Sequence, residues 1–382
     1  MLALNIRGGQ HLGQFGFGSE DLTLHDGWIH LNNLKDGPEL DTTGYWLLPG
    51  IIDLHGDGFE HSLAPRRGMM TDLARGLDAV ESELALAGIT TAWLAQFWSW
   101  EGGMRGPDFA KRLALAMTQT QQARRIDMRM QLRLEAHMIE DDAEIRALIS
   151  DHAIDYVVIN DHLPHAHLTE GRQPPRLTGA ALKAGRAPEA HLALMHHYAA
   201  NGPKVPDFVA GLIETFAPET RFGAHDEETA EIRAKSADLG LGISEFPTTQ
   251  EAAQTAQKMG ARVIMGAPNV VRGGSHDRRV SAELLIREGL VDALASDYHY
   301  PALAEAAFAL SDRGVLPFEA AWALISSGPA QMMGLKDRGQ IADGLRGDLV
   351  VMDPKTRQIL GCFAAGRLVL ARGSFADRLL SG

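Results

Sequence analysis

LLPGIIDLHGD, residues 47–57, is an apolar run that stops abruptly at His55-Gly56-Asp57. Near-continuous apolar strands belong to parallel sheets whose two faces are both covered. Residues two apart in an extended chain point to the same side, so His55 and Asp57 share one. Seven further runs have the same character: GITTAWLAQF (88–97), MRMQLRLEAH (128–137), DYVVINDH (155–162), TRFGAHD (220–226), LGISEF (241–246), RVIMGAP (262–268) and VDALASD (291–297). Helix-like segments separate them, among them TDLARGLDAVESELALAG (71–88) and TQEAAQTAQKMG (249–260). Thr249 before the second and Gly260 at its end are start and stop signals. Eight such repeats predict an α/β fold, a (β/α)8 TIM-like barrel; an open doubly wound sheet would be built from similar units.

Outside these repeats the pattern changes. Residues 1–46 hold short apolar runs such as LTLHDGWIHL, and the C-terminal stretch, with GDLVVMDP and GCFAAGRLVLARG, resembles them. The expectation is a small β-sandwich domain formed by both chain termini, 1–48 with 340–382, and a barrel over 49–339. Residues 163–210 are too long for an ordinary strand-to-helix loop. They read equally as a lid over the strand ends or as a plain helical excursion.

Composition narrows the partners. A formal net charge of -13, from 36 Lys+Arg against 49 Asp+Glu, repels nucleic acid on average and leaves room for a small phosphorylated substrate in a local basic pocket. No run approaches 18 apolar residues, so no membrane span is expected. Cys362 is the single cysteine, which excludes an internal disulfide framework. The first residues lack secretory features, and the cytoplasm is the expected compartment. Self-association into a homo-oligomer stays open.

Polar residues gather where the apolar runs end. Strand 1 carries His55 and Asp57, strand 3 Glu135 and His137, strand 4 Asp161 and His162, strand 5 His225 and Asp226, strand 6 Glu245, strand 8 Asp297. Any one of these is as well explained by helix capping. Together they put several carboxylates at one barrel mouth, where each unpaired charge costs several kcal/mol. Divalent cations remove that cost, and imidazole with carboxylate suits zinc or manganese. After strand 7, Asn269, Arg272, Gly273, Gly274, Ser275 and His276 form either a phosphate cradle, where barrels often place one, or a tight turn with a surface arginine. Arg66 and Arg67 allow the same two readings. Trp93, Phe97, Trp98 and Trp100 read mainly as packing, and Thr248 and Thr249 as caps.

LLPGIIDLHGD, LALAGITT, LRLEAH, SEFPTTQEAA, VIMGAPNVVRGGSH, SDYHYPALAEAAF and DRGQIADGLRGDLVVMDP resemble the amidohydrolase superfamily and, within it, the PhnM family of the carbon–phosphorus lyase pathway. The likeness spans most of the chain and weakens in the segment after strand 4. It implies a metal-dependent hydrolase that converts the 5-triphosphate of a ribose 1-methylphosphonate to the 5-phosphate and pyrophosphate. It further implies two divalent ions, zinc first with manganese or iron as alternatives. By resemblance His55 and Asp57 hold one, Glu135 bridges both, and His162 and His225 hold the second. Asp297 completes the set and orients or deprotonates the attacking water. Two positions depart from the superfamily pattern: His-Gly-Asp replaces the commoner His-X-His, and strand 6 offers Glu245 in place of a histidine. A C–N hydrolase on the same barrel and a non-enzymatic subunit are the competing classes.

Overall fold

The computed structural model describes residues 3–13, 16–31, 36–66, 69–70, 72–274 and 279–381. Arg67, Ser275 and His276 lie outside them. Eight strands form one parallel sheet: β1 (Ile51–Gly56), β2 (Ile89–Trp98), β3 (Asp127–Glu135), β4 (Tyr156–Asn160), β5 (Arg221–His225), β6 (Ile243–Glu245), β7 (Arg262–Gly266) and β8 (Ala293–Ala295). Their order in the sheet is their order in the chain, and a parallel bridge between Gly56 and Asp297 joins the last strand back to the first. Helices follow the strands, which makes the fold a (β/α)8 barrel. All ten residues of β2 are buried, as a strand covered on both faces requires.

The opening stretch turns out to be two strands, not one. Trp46–Pro49 belongs to another sheet, and the barrel begins at Ile51. Gly50 is the joint: a Cβ there would come within 2.3 Å of Thr90 Oγ1 and 2.9 Å of Asp348 Cβ. An apolar run carries no mark of such a change of sheet.

By internal contacts the chain divides into two compact units, one of Met1–Leu94, Thr120–Arg129 and Met265–Gly382, the other of Ala95–Gln119 and Met130–Ile264. The first contains the β layers that both termini build. One sheet orders Trp28–Leu31, Leu22–His25, Leu4–Arg7 and Glu39–Asp41. The other orders Arg367–Ala371, Ile359–Ala364, Leu349–Met352, Trp46–Pro49, Gln10–Gly13 and Gly16–Gly18. In the second sheet Leu48 pairs with Val350 across an antiparallel ladder, so N-terminal and C-terminal chain share it. Ile6, Leu22, Ile29, Leu47, Val351 and Phe363 form a common core between the sheets. The C-terminal segment also holds a helix, Gly373–Ser381, that the β-rich reading did not anticipate; its Phe375 is fully buried in that core.

In the second unit, the long segment after β4 is helical: His165–Thr169, Leu177–Lys183, Pro188–Ala199 and Val205–Phe216. Thr249 caps Gln250–Lys258 as expected, accepting from the Ala252 N–H at 3.1 Å. Trp93, Phe97, Trp98 and Trp100 are all buried, so packing is their role. No helix among the described residues is long and apolar enough to cross a membrane.

Candidate metal centre

In the first unit the end of β1 and the end of β8 clasp each other. The Asp297 N–H donates to the His55 carbonyl at 2.9 Å, and the Asp57 N–H donates to the Asp297 carbonyl at 2.8 Å. Side-chain ligand atoms of His55, Asp57 and Asp297 consequently lie within 4.8 Å of one another. Gly56 between the first two is sterically required, since a Cβ would meet Asp53 Oδ2 at 2.7 Å and Tyr300 Cε1 at 2.8 Å. Asp53 is fully buried. It accepts from the Ser296 hydroxyl at 2.5 Å, the Ser296 N–H at 2.9 Å and the His55 N–H at 3.3 Å. Burial raises its pKa, and those hydrogen bonds pull the other way.

The second unit supplies Glu135, His162, His225 and Glu245. His162 bonds to Glu135 through Nδ1, and its backbone N–H donates to Glu135 Oε2 at 3.2 Å. Burial works against a charged His162, yet the Glu135 carboxylate outweighs it and raises the imidazole pKa. His225 Nε2 accepts from Arg133 Nη2 at 3.0 Å and stands 3.8 Å from Glu245 Oε2. Burial and the Arg133 guanidinium push the His225 pKa down to about 4. His225 is therefore neutral at pH 7, the form that ligates metals. Glu245 Oε1 accepts from Gln131 Nε2 at 2.8 Å and Tyr156 Oη at 3.1 Å. Two fully buried carboxylates, Glu135 and Glu245, beside imidazoles are a donor set that fits a divalent cation.

Backbone strain marks the same places. Asp226, Phe246 and Asp297 have φ of 56°, 54° and 57°, a region that costs a residue with a Cβ about 1–2 kcal/mol. Each sends its N–H across to the neighbouring strand: Asp226 to the Glu245 carbonyl, Phe246 to that of Ile264, Asp297 to that of His55, all at 2.9 Å. Left-handed turns at strand ends thus aim the side chains that precede or form them.

The loop after β7 stands differently. Asn269 gives its side chain to the backbone, donating to the Val280 carbonyl at 3.3 Å and accepting from the Ala282 N–H at 3.0 Å. Arg272 closes the helix Ala267–Arg272, with Gly273 at its C-cap, and donates to Tyr298 Oη at 2.7 Å. Tyr298 follows Asp297 directly, which ties this arginine to the β8 end. Gly274 donates its N–H to the Asn269 carbonyl.

Residues that the motif reading passed over include Asp53, Gln131, Arg133, Ser296 and His165. Glu245 was noted as a strand-end carboxylate but left out of the ligand set. His-Gly-Asp with a carboxylate two residues earlier was the available hint for Asp53; for Arg133 no local signal exists.

Among solved structures, the chain is similar to a β-aspartyl dipeptidase from Fervidobacterium islandicum AW-1, with a TM-score of 0.64, 14% identity and 97% of each chain covered. It is also similar to the N-acetylglucosamine-6-phosphate deacetylase of Pasteurella multocida, with a TM-score of 0.63, 11% identity, 96% of this chain and 100% of that one covered. These likenesses show the fold: a (β/α)8 barrel together with β layers built by both termini, as in these two hydrolases. No family model matches the chain. Its sequence is 33% identical over 335 residues to the α-D-ribose 1-methylphosphonate 5-triphosphate diphosphatase of Escherichia coli (strain K12), covering 84% of this chain and 86% of that protein. The chain belongs to that family, the PhnM family.

Proposed function

We propose that the protein is a metal-dependent diphosphatase of phosphonate catabolism, acting on α-D-ribose 1-methylphosphonate 5-triphosphate in the cytoplasm. The observation that carries this reading is the 33% identity over 84% of the chain to a diphosphatase of that substrate. The donor groups of each unit support it. His55, Asp57, Glu135, His162, His225 and Asp297 would hold two divalent ions, zinc first, and Glu245 is well placed beside His225 to join them. The barrel, 49–339, is the catalytic domain in this proposal, and 1–48 with 340–382 the accessory one.

Bound there, divalent cations supply Lewis acidity toward phosphoryl oxygens and lower the pKa of a coordinated water to about 7. The residues do the rest. Asp297, fixed by its backbone clasp to His55 and Asp57, accepts the proton of the attacking water. Water adds across the bridge between the α- and β-phosphorus atoms, leaving the 5-phosphate on the ribose and releasing pyrophosphate. Arg272, held beside Asp297 by Tyr298, grips the departing phosphates; Gly273 and Gly274, whose N–H groups close the end of its helix, add no side chain that would crowd them. Ser275 and His276, outside the described residues, complete the loop by sequence.

Turnover of ribose 1-methylphosphonate 5-triphosphate, nucleoside triphosphates and a β-aspartyl dipeptide, with zinc, manganese and iron supplied one at a time, tests the reading. ³¹P NMR should register pyrophosphate and a 5-phosphate from the first substrate in preference to the others. Amide cleavage with no loss of any P–O–P linkage would instead identify a C–N hydrolase.

A further inference from the structure

A second set of metal-capable side chains lies wholly within the second unit and shares no residue with the ligand set above. His137 follows β3, Asp161 follows β4, and His165 opens the helix His165–Thr169. Ligand atoms of the three lie within 4.8 Å of one another. His165 Nε2 faces both Asp161 oxygens, at 2.9 and 2.7 Å, and His137 Nε2 faces Asp161 Oδ2 at 3.3 Å. The two imidazole rings are 5.2 Å apart between centroids.

The other nitrogen of His137 decides what this arrangement suits. Nδ1 lies 3.1 Å from the Tyr198 carbonyl, which can only accept, so Nδ1 carries the proton. Nε2 is then the ring atom turned toward the Asp161 carboxylate, and with His165 Nε2 it puts three ligand atoms around one point. A histidine whose second N–H is tied to a backbone carbonyl is the arrangement in which metal-ligating imidazoles are held. His137 is itself nearly buried, at 4% exposure, while Asp161 and His165 are open to solvent. Buried and exposed ligands together give a cation a fixed anchor and a route in.

We propose that His137 Nε2, the Asp161 carboxylate and His165 Nε2 form a further zinc site, separate from the hydrolytic centre, with water as fourth ligand. Two imidazoles and one carboxylate are a zinc donor set. The site has a structural task. Asn201 Nδ2 donates to the His137 carbonyl at 3.0 Å, and Tyr198 lies in Pro188–Ala199. Zinc on these ligands fastens the helix 165–169 to the ends of β3 and β4, and the hydrogen bonds from His137 to Tyr198 and from Asn201 to His137 tie the end of the helix 188–199 to the same anchor.

Full-length protein stripped by chelation is dialysed to equilibrium against zinc chloride, and zinc per chain is measured by plasma mass spectrometry for wild type, His165→Ala, His165→Gln and His55→Ala. His165 is half exposed, so its variants should fold, which circular dichroism checks. Both His165 variants should hold one zinc fewer than wild type. Trypsin should then cut at Arg172 and Arg176 several-fold faster in them, and in stripped wild type, than in the zinc-loaded protein. Equal zinc content in wild type and the His165 variants would overturn the site, whatever the rate of proteolysis. His55→Ala reports the hydrolytic centre independently, so failure of one site leaves the other legible.

Discussion

Asp53 is not among the proposed metal ligands, yet it sets where two of them stand. It is two residues before His55 on the same strand and accepts from the backbone of His55 and from both donors of Ser296, the neighbour of Asp297. Removing a buried acceptor leaves donors stranded, at about 1–3 kcal/mol for a desolvated group. Loss of a residue that orients metal ligands typically costs about 10–100-fold in metal affinity. Asp53→Ala should therefore weaken zinc binding by about that factor, with Asp53→Asn in between; competition against a zinc chelator measures it. Unchanged affinity in Asp53→Ala would remove Asp53 from this positioning role. Asp53 also illustrates what can be seen in sequence at this scale. His55, Asp57 and Asp297 announce themselves as polar residues that end apolar strands. For a carboxylate inside such a strand the only local hint is its place two residues before His-Gly-Asp, and its partner Ser296 is 243 positions away. Arg133 and Gln131 stayed hidden for the same reason, their partners His225 and Glu245 being 92 and 114 positions distant.

Between elements, one arginine joins the barrel strands to the start of the C-terminal β segment. Arg338 Nη1 donates to Asp127 Oδ2 at 2.7 Å, at the start of β3, and to Thr91 Oγ1 at 2.9 Å in β2. Its remaining nitrogens reach Asp337. Burial opposes ionisation of Asp127, but Arg129 and Arg338 win, and its pKa is lowered. A carboxyl with a depressed folded-state pKa adds stability above its unfolded value, near 4, and loses it as pH falls through the folded one. Asp127→Asn should thus cost about 2 kcal/mol at pH 7, less than for a fully orphaned buried arginine because Asp337 remains. The gap to wild type should shrink as pH drops below about 5 toward the acid limit. Urea midpoints at pH 7 and at about pH 3, below the unfolded pKa, check both; a pH-independent difference would contradict the ionic origin. Strand-like elements were legible because each barrel strand is buried on both faces and reads as one apolar run. The break at Gly50 was not, since both sheets it separates are equally apolar. Nor was the helix Gly373–Ser381, whose anchor Phe375 finds its place against Gly361, where a Cβ would stand 2.4 Å from the Phe375 ring.

For the molecule as a whole, a net charge of -13 must be reconciled with the proposed substrate, which carries several negative charges of its own. Exposed charges are screened beyond about 8 Å at physiological ionic strength, so the mean surface repels a triphosphate weakly at contact range, and local cations decide recognition. Divalent cations at the proposed centre would neutralise part of that charge. In the proposed reading Arg272 grips more of it, and its guanidinium lies over the Tyr298 ring at 5.9 Å while bonding its hydroxyl. That placement was readable from the sequence as a position after a barrel strand, but its alignment with Tyr298 beside Asp297 required the fold. A residue that binds the terminal phosphates contributes equally to ground and transition states, and its loss appears in KM with kcat little changed. Losing a charge-assisted bond of about 1.5–3 kcal/mol corresponds to a rise in KM of about tenfold or more for the triphosphate. Arg272→Ala should show that rise, a smaller one for the 5-diphosphate analogue, and a flatter dependence of kcat/KM on salt. Should the ratio between the two chain lengths stay at its wild-type value, Arg272 would be a tyrosine partner at the end of a helix and the phosphates would have to be held elsewhere.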